Sequence, residues 1–315
     1  MANVLSVNTG TTVLFPPQLM AETIQAVRGK SSLAKLSGTM PVAFNGQSEF
    51  VFNLDSEVDF VAENGAKSNG GATLSTITTK PVKMEYGVRV SEEFVHGSAE
   101  VRLPYLRMFA EGLQKKLARG LDIGALHGVN PRSGATATAT VGDMHFNNLV
   151  TNSVTVTMPS SHVNGASAAT DAVEAAIALV QGGNHEPSGI IMAPSFRSAL
   201  SQETFTDGHP RYVTLALGGQ PDSFGGMEMD SNNTVSFTAG SMTNRNQAYV
   251  GNFREYFRWG YAKNVEIRVI PYGNPDNDAN AGDLAGHNQV YLRGEAYIGW
   301  AILVPGAFAR IVAAS

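Results

Sequence analysis

Three patterns of apolar and polar residues succeed one another in the first 130 residues. Residues 1–14 are polar and rich in Gly and Thr, which predicts an extended arm. Phe15-Pro16-Pro17 then opens a helix to about Val27, since proline is tolerated in a first turn, and Gly29 closes it. From 47 to 91 the period becomes two. Phe50, Phe52 and Leu54 alternate with Val51, Asn53 and Asp55, and later Val82, Met84, Tyr86, Val88 and Val90 alternate with Lys83, Glu85, Gly87 and Arg89. Alternation with mostly polar partners predicts a half-exposed ribbon. The turn-rich stretch 63–71 between the two runs predicts the tip of one long β-hairpin. A lone two-stranded hairpin is marginal in water, so this one needs a partner surface.

The third pattern is helical. Leu106, Phe109, Ala110, Leu113, Leu117, Leu121 and Ala125 recur at steps of three and four, predicting a helix over about 104–126. Arg107, Glu111, Gln114, Lys115, Lys116 and Arg119 take most of the remaining surface, and Gly128 and Pro131 stop it. A Ser/Thr/Gly-rich stretch, 132–166, reads as loop and short strand. A second lobe follows: a helix over 171–180, a buried strand over 189–194, a short helix over 195–200, and strands near 248–253, 265–270 and 290–304. An acidic Asn/Gly-rich loop spans 274–286.

Composition narrows the function. A chain of 315 residues favours two compact lobes. With 43% hydrophobic and only 16% charged residues, it suits a protein that hides surface against neighbours. A net charge of -5 argues against a dedicated nucleic-acid binder, though not against a wall around packaged DNA. The absence of cysteine excludes disulfides, thiol catalysis and Cys-ligated metals. No secretory pattern opens the chain and no apolar run approaches the roughly 18 residues of a membrane span, so a soluble protein made in a cytoplasm is expected.

Several stretches in this order resemble the major capsid proteins of tailed bacteriophages with the Hong Kong 97-type fold. They are Val61-Ala62-Glu63 through Lys67, Val88-Arg89-Val90-Ser91-Glu92-Glu93, 121–128, Ile191-Met192-Ala193-Pro194-Ser195-Phe196, Tyr249-Val250-Gly251-Asn252-Phe253, Arg293-Gly294-Glu295 and Val304-Pro305-Gly306-Ala307-Phe308. Asn252 stands where the family often has Asp. The resemblance covers nearly all of the chain after residue 15. It implies an α+β fold divided as N-terminal arm (1–46), extended β-hairpin loop (47–90), peripheral domain with a long spine helix (91–166), axial domain (167–263) and a return to the peripheral domain (264–315). It further implies a structural subunit that self-assembles into pentamers and hexamers of an icosahedral shell around double-stranded DNA. Portal, scaffolding and decoration proteins are the implied partners, with no cofactor and no membrane. The implied location is the virion, assembled in the host cytoplasm. Only about a dozen residues precede Phe15, so scaffolding is expected from a separate protein, if needed. The alternatives are an encapsulin-type compartment of the same fold and, less well supported, an α/β enzyme.

Candidate chemistry is sparse. Some members of the fold join subunits by an isopeptide bond between a loop lysine and an asparagine, with a buried glutamate as base. Lys67 matches the lysine, and Asn288 and Glu295 are the candidates for the other roles. The plainer reading has Lys67 as a solvated tip charge and Glu295 paired with Arg293 or another subunit's arginine. Asp55, Glu57, Asp59 and Glu63 alternate with Val58, Phe60 and Ala62 and, with Lys67, are candidate inter-subunit contacts. Asp276, Asp278 and Asp283 could hold calcium but lack the EF-hand spacing, which favours a solvated loop. Gly29-Lys30-Ser31 lacks the first glycine of a phosphate-binding loop and is set aside. No metalloprotease histidine pair and no nucleophile elbow is present, and His185-Glu186 reads as a surface turn.

Overall fold

A computed structural model describes residues 30–54, 56–93, 99–150, 155–158, 168–240 and 242–314. The expected arm, the helix from Phe15 to Val27 with Gly29, and Asp55 lie outside the described residues. The chain enters through α1 (Ser32–Leu36), whose N-cap Ser31 accepts from Ala34 N at 3.1 Å. Ser31, set aside above as part of a phosphate motif, thus starts a helix that the sequence pattern does not predict.

The strands and helices follow as β1 (Gly38–Thr39), β2 (Gln47–Leu54), β3 (Ala72–Thr79), β4 (Val82–Ser91), α2 (Ala99–His127), α3 (Phe146–Leu149), β5 (Thr155–Met158) and α4 (Ala168–Gly182). Then come β6 (Gly189–Met192), α5 (Pro194–Ser201), β7 (Ser223–Phe224), β8 (Met227–Ser231), β9 (Asn246–Gly251), α6 (Phe253–Tyr256), β10 (Phe257–Ile270), β11 (Gln289–Ile302) and β12 (Phe308–Ala313). They form a four-stranded sheet, β1-β10-β11-β4, a six-stranded sheet, β5-β12-β9-β6-β8-β7, and the two-stranded ribbon β2-β3.

The pairing corrects the expected hairpin. β2 pairs with β3, Phe52 opposite Leu74, while β4 pairs antiparallel with β11 from Val82↔Ile298 to Ser91↔Gln289. Alternation along 82–91 identifies an apolar face but not the strand beside it. That face (Val82, Met84, Val88, Val90) packs into the main core. β10 joins the four-stranded sheet from Phe257, and β12 pairs with β5 and β9 in the six-stranded one. The long helix α2, Ala99–His127, carries Pro104 within it.

The four-stranded sheet has two different faces. Even-numbered β11 residues meet α2: a Cβ at Gly294 would strike Leu113, and Trp300 lies against Gly124. Odd-numbered ones meet the root of the ribbon. Tyr297 stacks on Phe44 with ring centroids 5.0 Å apart, and the paired glycines Gly260 and Gly299 leave room for Met40, Val42 and Thr79. The helix and the ribbon root therefore lie on opposite sides of one sheet.

On the six-stranded sheet α4 packs across β5, β9 and β12. One apolar core runs through both sheets, with Phe146 surrounded by Tyr249, Phe253, Phe257 and Phe308 at centroid distances of 5.0–6.1 Å.

A buried carboxylate joins the parts. Asp122 on α2 is fully buried and accepts from Ser31 Oγ (2.5 Å), Ser32 N (3.1 Å) and Leu33 N (3.3 Å) of the α1 start. It also accepts from Asn232 Nδ2 (3.4 Å) and Thr234 Oγ1 (3.3 Å), just beyond β8. A buried charge persists only when it is hydrogen-bonded this fully. Burial pushes the Asp122 carboxyl up to about 6, against the donors from Ser31, Ser32 and Leu33, which favour the charged form. Because the folded value lies above the unfolded one, the native state binds this proton more tightly. The contribution to stability is full below about pH 4 and is lost as pH rises through about 6. Its size is on the order of 3 kcal/mol. Denaturant melts of the wild type at pH 4 to 7 are expected to show this falling component, and Asp122→Asn to lack it. Parallel pH profiles would refute the assignment.

Candidate assembly interface

The ribbon β2-β3 presents an apolar face to solvent. The period of two puts Phe50, Phe52, Leu54 and Leu74 on that face, and they are 63–71% exposed, while Val51 and Ile77 on the opposite side are half-buried. Beyond the strands Val58 is 85% and Phe60 98% exposed. Large apolar patches of this kind mark association surfaces. Burying one such side chain fully contributes about 1.5–3 kcal/mol.

The loop carrying Glu57, Asp59, Glu63 and Lys67 is exposed along its whole length, so all four stand free of the body of the subunit. Its turn is closed by Gly65 N donating to Ala62 O at 2.9 Å, with Asn64 at φ +64°.

The crosslink candidates separate. Lys67 is at the loop tip. Asn288 is exposed at φ +51°, immediately before β11, and its carbonyl accepts from Glu92 N at 2.8 Å. Glu295 lies seven residues on, about 23 Å along an extended strand. One subunit therefore does not bring these groups to one bond. Glu295 is buried and ion-paired, with Lys83 Nζ at 3.1 Å and Arg293 Nε at 2.9 Å, though neither approach has hydrogen-bond alignment. Within the subunit Glu295 thus has Arg293, one of the two partners of the plainer reading, and Lys83 beside it.

Glu295 belongs to a charged row that the sequence pattern does not reveal. Register places Glu85, Glu295 and Glu266 side by side across β4, β11 and β10. Like charges directly opposite repel, and cations flank the row. Lys263 Nζ is 2.7 Å and Arg268 Nη2 2.6 Å from Glu266, whose carboxyl is held below its usual range by hydrogen bonds from these two. Lys83, Lys263 and Arg268 remain 44–54% exposed. The row lies on the ribbon side of the sheet. Alternation shows Lys83, Glu85 and Arg89 sharing a face, but the β10 and β11 partners emerge only from the register.

The three aspartates of the acidic loop are used separately. Arg89 clamps Asp276 through both carboxylate oxygens (2.6 and 2.8 Å), and also donates to Asn274 Oδ1, Gly282 O, Ala281 O and Gln289 Oε1. This bidentate geometry holds the Asp276 carboxyl well below its usual range, at about 2. Asp278 Oδ1 accepts from Asn280 N and Ala281 N, and Asp283 Oδ2 from Gly286 N. The loop is thus tied over the end of β4 by one arginine. Arg89→Ala is expected to raise hydrogen exchange and protease cleavage within 274–288 while the rest of the chain is unchanged. An unaltered loop would show that Arg89 does not order it.

Among the described residues no cluster of potential metal ligands forms and no helix is long and apolar enough to cross a membrane. The phage capsid family matches over residues 11–313. No curated protein matches the chain. A solved structure from Mycobacterium phage Ogopogo is similar at TM-score 0.75 and 29% identity, over 90% of this chain and 92% of that one. One from Gordonia phage Cozz reaches 0.73 at 23% identity, over 91% and 87%. The capsid of an empty GTA particle, computed with C5 symmetry, reaches 0.62 at 14%, over 91% and 90%. At the last two identities the likeness is one of fold.

Proposed function

The chain belongs to the phage capsid family, and we propose that it assembles into hexamers and pentamers that close a shell around double-stranded DNA. As a major capsid protein of an icosahedral shell it is a structural subunit, not an enzyme. The observation that carries the proposal is the apolar face of Phe50, Phe52, Leu54 and Leu74, on a ribbon for which the described residues supply no second layer.

In this reading the ribbon of one subunit lies across its neighbour. Its acidic loop, Glu57, Asp59 and Glu63, meets the cations Lys83, Lys263 and Arg268 on the neighbour's sheet. These cations suit the role because they flank the sheet face and stay partly exposed after pairing internally. Exposed charge pairs select partner and register more than they add affinity. Assembly takes place in the host cytoplasm, with a portal and, where needed, separate scaffolding and decoration proteins. Lys67 is a contact of the same loop. A Lys67–Asn288 bond would have to form between copies, with Glu295 released from Lys83 and Arg293.

Electron microscopy of the purified full-length protein is expected to show closed shells, or rings of five and six. Persistent monomers, even when candidate scaffolding is co-expressed, would contradict the reading. Shells filled with cargo protein instead of nucleic acid would favour the compartment. The double reversal Glu57→Lys/Asp59→Lys is expected to lower shell yield, and an unchanged yield would remove the charge contact. Boiled shells are expected to run as one monomer band on a denaturing gel. A ladder that disappears in Lys67→Arg would instead establish the crosslink.

A further inference from the structure

The helix side of the sheet, away from the ribbon, carries a local excess of cations. Along α2, Arg107, Lys115 and Lys116 are exposed and Arg119 is half-buried, while Glu111 is the one acidic residue between 104 and 119. Lys30, just before α1, reaches the same helix, its Nζ 3.5 Å from Gln114 Oε1. Lys30, Lys115 and Arg119 line an open cavity of about 310 Å³ with Asn232 and Thr234. Arg119 is held in place there. Its Nη1 donates to Asn233 Oδ1 at 2.5 Å, and its guanidinium lies 5.3 Å from the centre of the Phe237 ring. No carboxylate lines the cavity among the described residues. Asp122 sits beneath, fully buried and bonded to Asn232 and Thr234.

Two ammonium groups and a fixed guanidinium around one concave site are suited to an oxyanion. The two-faced sheet says which oxyanion. Leu113 and Gly124 place α2 on one side of it, and Val42, Phe44 and Thr79 place the ribbon root on the other. A closed shell turns one of these sides inward. In a chain of net charge -5, the stretch 104–119 carries four cations against one carboxylate, a local excess matched to a polyanion. The acidic ribbon loop of a second copy is the other anionic candidate. On the shell reading, that loop meets the cations on the ribbon side of a neighbour's sheet instead.

We propose that the cavity formed by Lys30, Lys115 and Arg119 binds a backbone phosphate of the nucleic acid inside the shell, which makes the α2 side the inner wall. This rests on the shell reading above. Phosphate binding of this kind carries no base preference and weakens steeply with salt.

The test is fluorescence anisotropy of a labelled 30-base-pair duplex with unassembled full-length subunits between 50 and 200 mM salt, paired with electron microscopy of the same protein after assembly. Lys115→Gln/Arg119→Gln is expected to weaken binding and flatten the log–log salt slope by about 0.9, for the one phosphate no longer neutralised. Shells should still form. Lys115→Arg/Arg119→Lys, which keeps both charges, should retain the wild-type slope and so separate removal of charge from failure to fold. An unchanged slope in the glutamine variant overturns the proposal. So does loss of shells with duplex binding intact, which would make this face a docking surface for an acidic segment of a second copy. Absence of shells in the wild type would count against the shell reading instead.

Discussion

A two-stranded ribbon with one apolar face cannot bury that face against itself. This constraint governs the rest of the molecule. β2 and β3 pair along eight positions, yet Phe50, Phe52, Leu54 and Leu74 remain in water. Only another layer can cover them, and the described part of the chain supplies none. Isolated hairpins are marginal for the same reason. On the proposed assembly the shell extends the fold, the hydrophobic burial missing from each ribbon being completed by its neighbour.

For that to work the ribbon must leave the body at a fixed place. The paired glycines Gly260 and Gly299 admit Met40, Val42 and Thr79 onto the sheet, and Phe44 stacks on Tyr297. Upstream, Asp122 grips the start of α1 while also holding the turn after β8. One carboxylate thus ties the spine helix, the segment leading to the ribbon and the second sheet into a single body. Its cost is desolvation, visible in the raised titration of the group. The same sheet separates the side that bears the acidic ribbon loop from the side on which α2 carries Arg107, Lys115, Lys116 and Arg119.

Much of this is legible in the sequence, and the failures have physical causes. The i, i+3, i+4 recurrence from Leu106 to Ala125 marks the spine helix, and alternation at Phe50, Phe52 and Leu54 marks an apolar ribbon face. Alternation does not name the neighbouring strand, so 82–91 reads as the partner of 47–54 although it pairs with β11. Strand order is likewise a property of the whole sheet, which is why the pattern along β12 does not place it. Asp122 does leave a signal: a carboxylate inside the apolar run Leu121-Asp122-Ile123 must find donors or stay neutral. The Arg89 clamp leaves none, because its acceptors lie across the sheet in the distant 274–289 stretch.

If a neighbouring subunit covers the ribbon's apolar face, hydrogen exchange over residues 47–79 must differ between unassembled protein and closed shells. Backbone amides of β2 and β3 are expected to exchange rapidly in the free subunit and to become strongly protected in the shell. Equal exchange in both states would mean that the ribbon stays uncovered and that the shell is held together elsewhere.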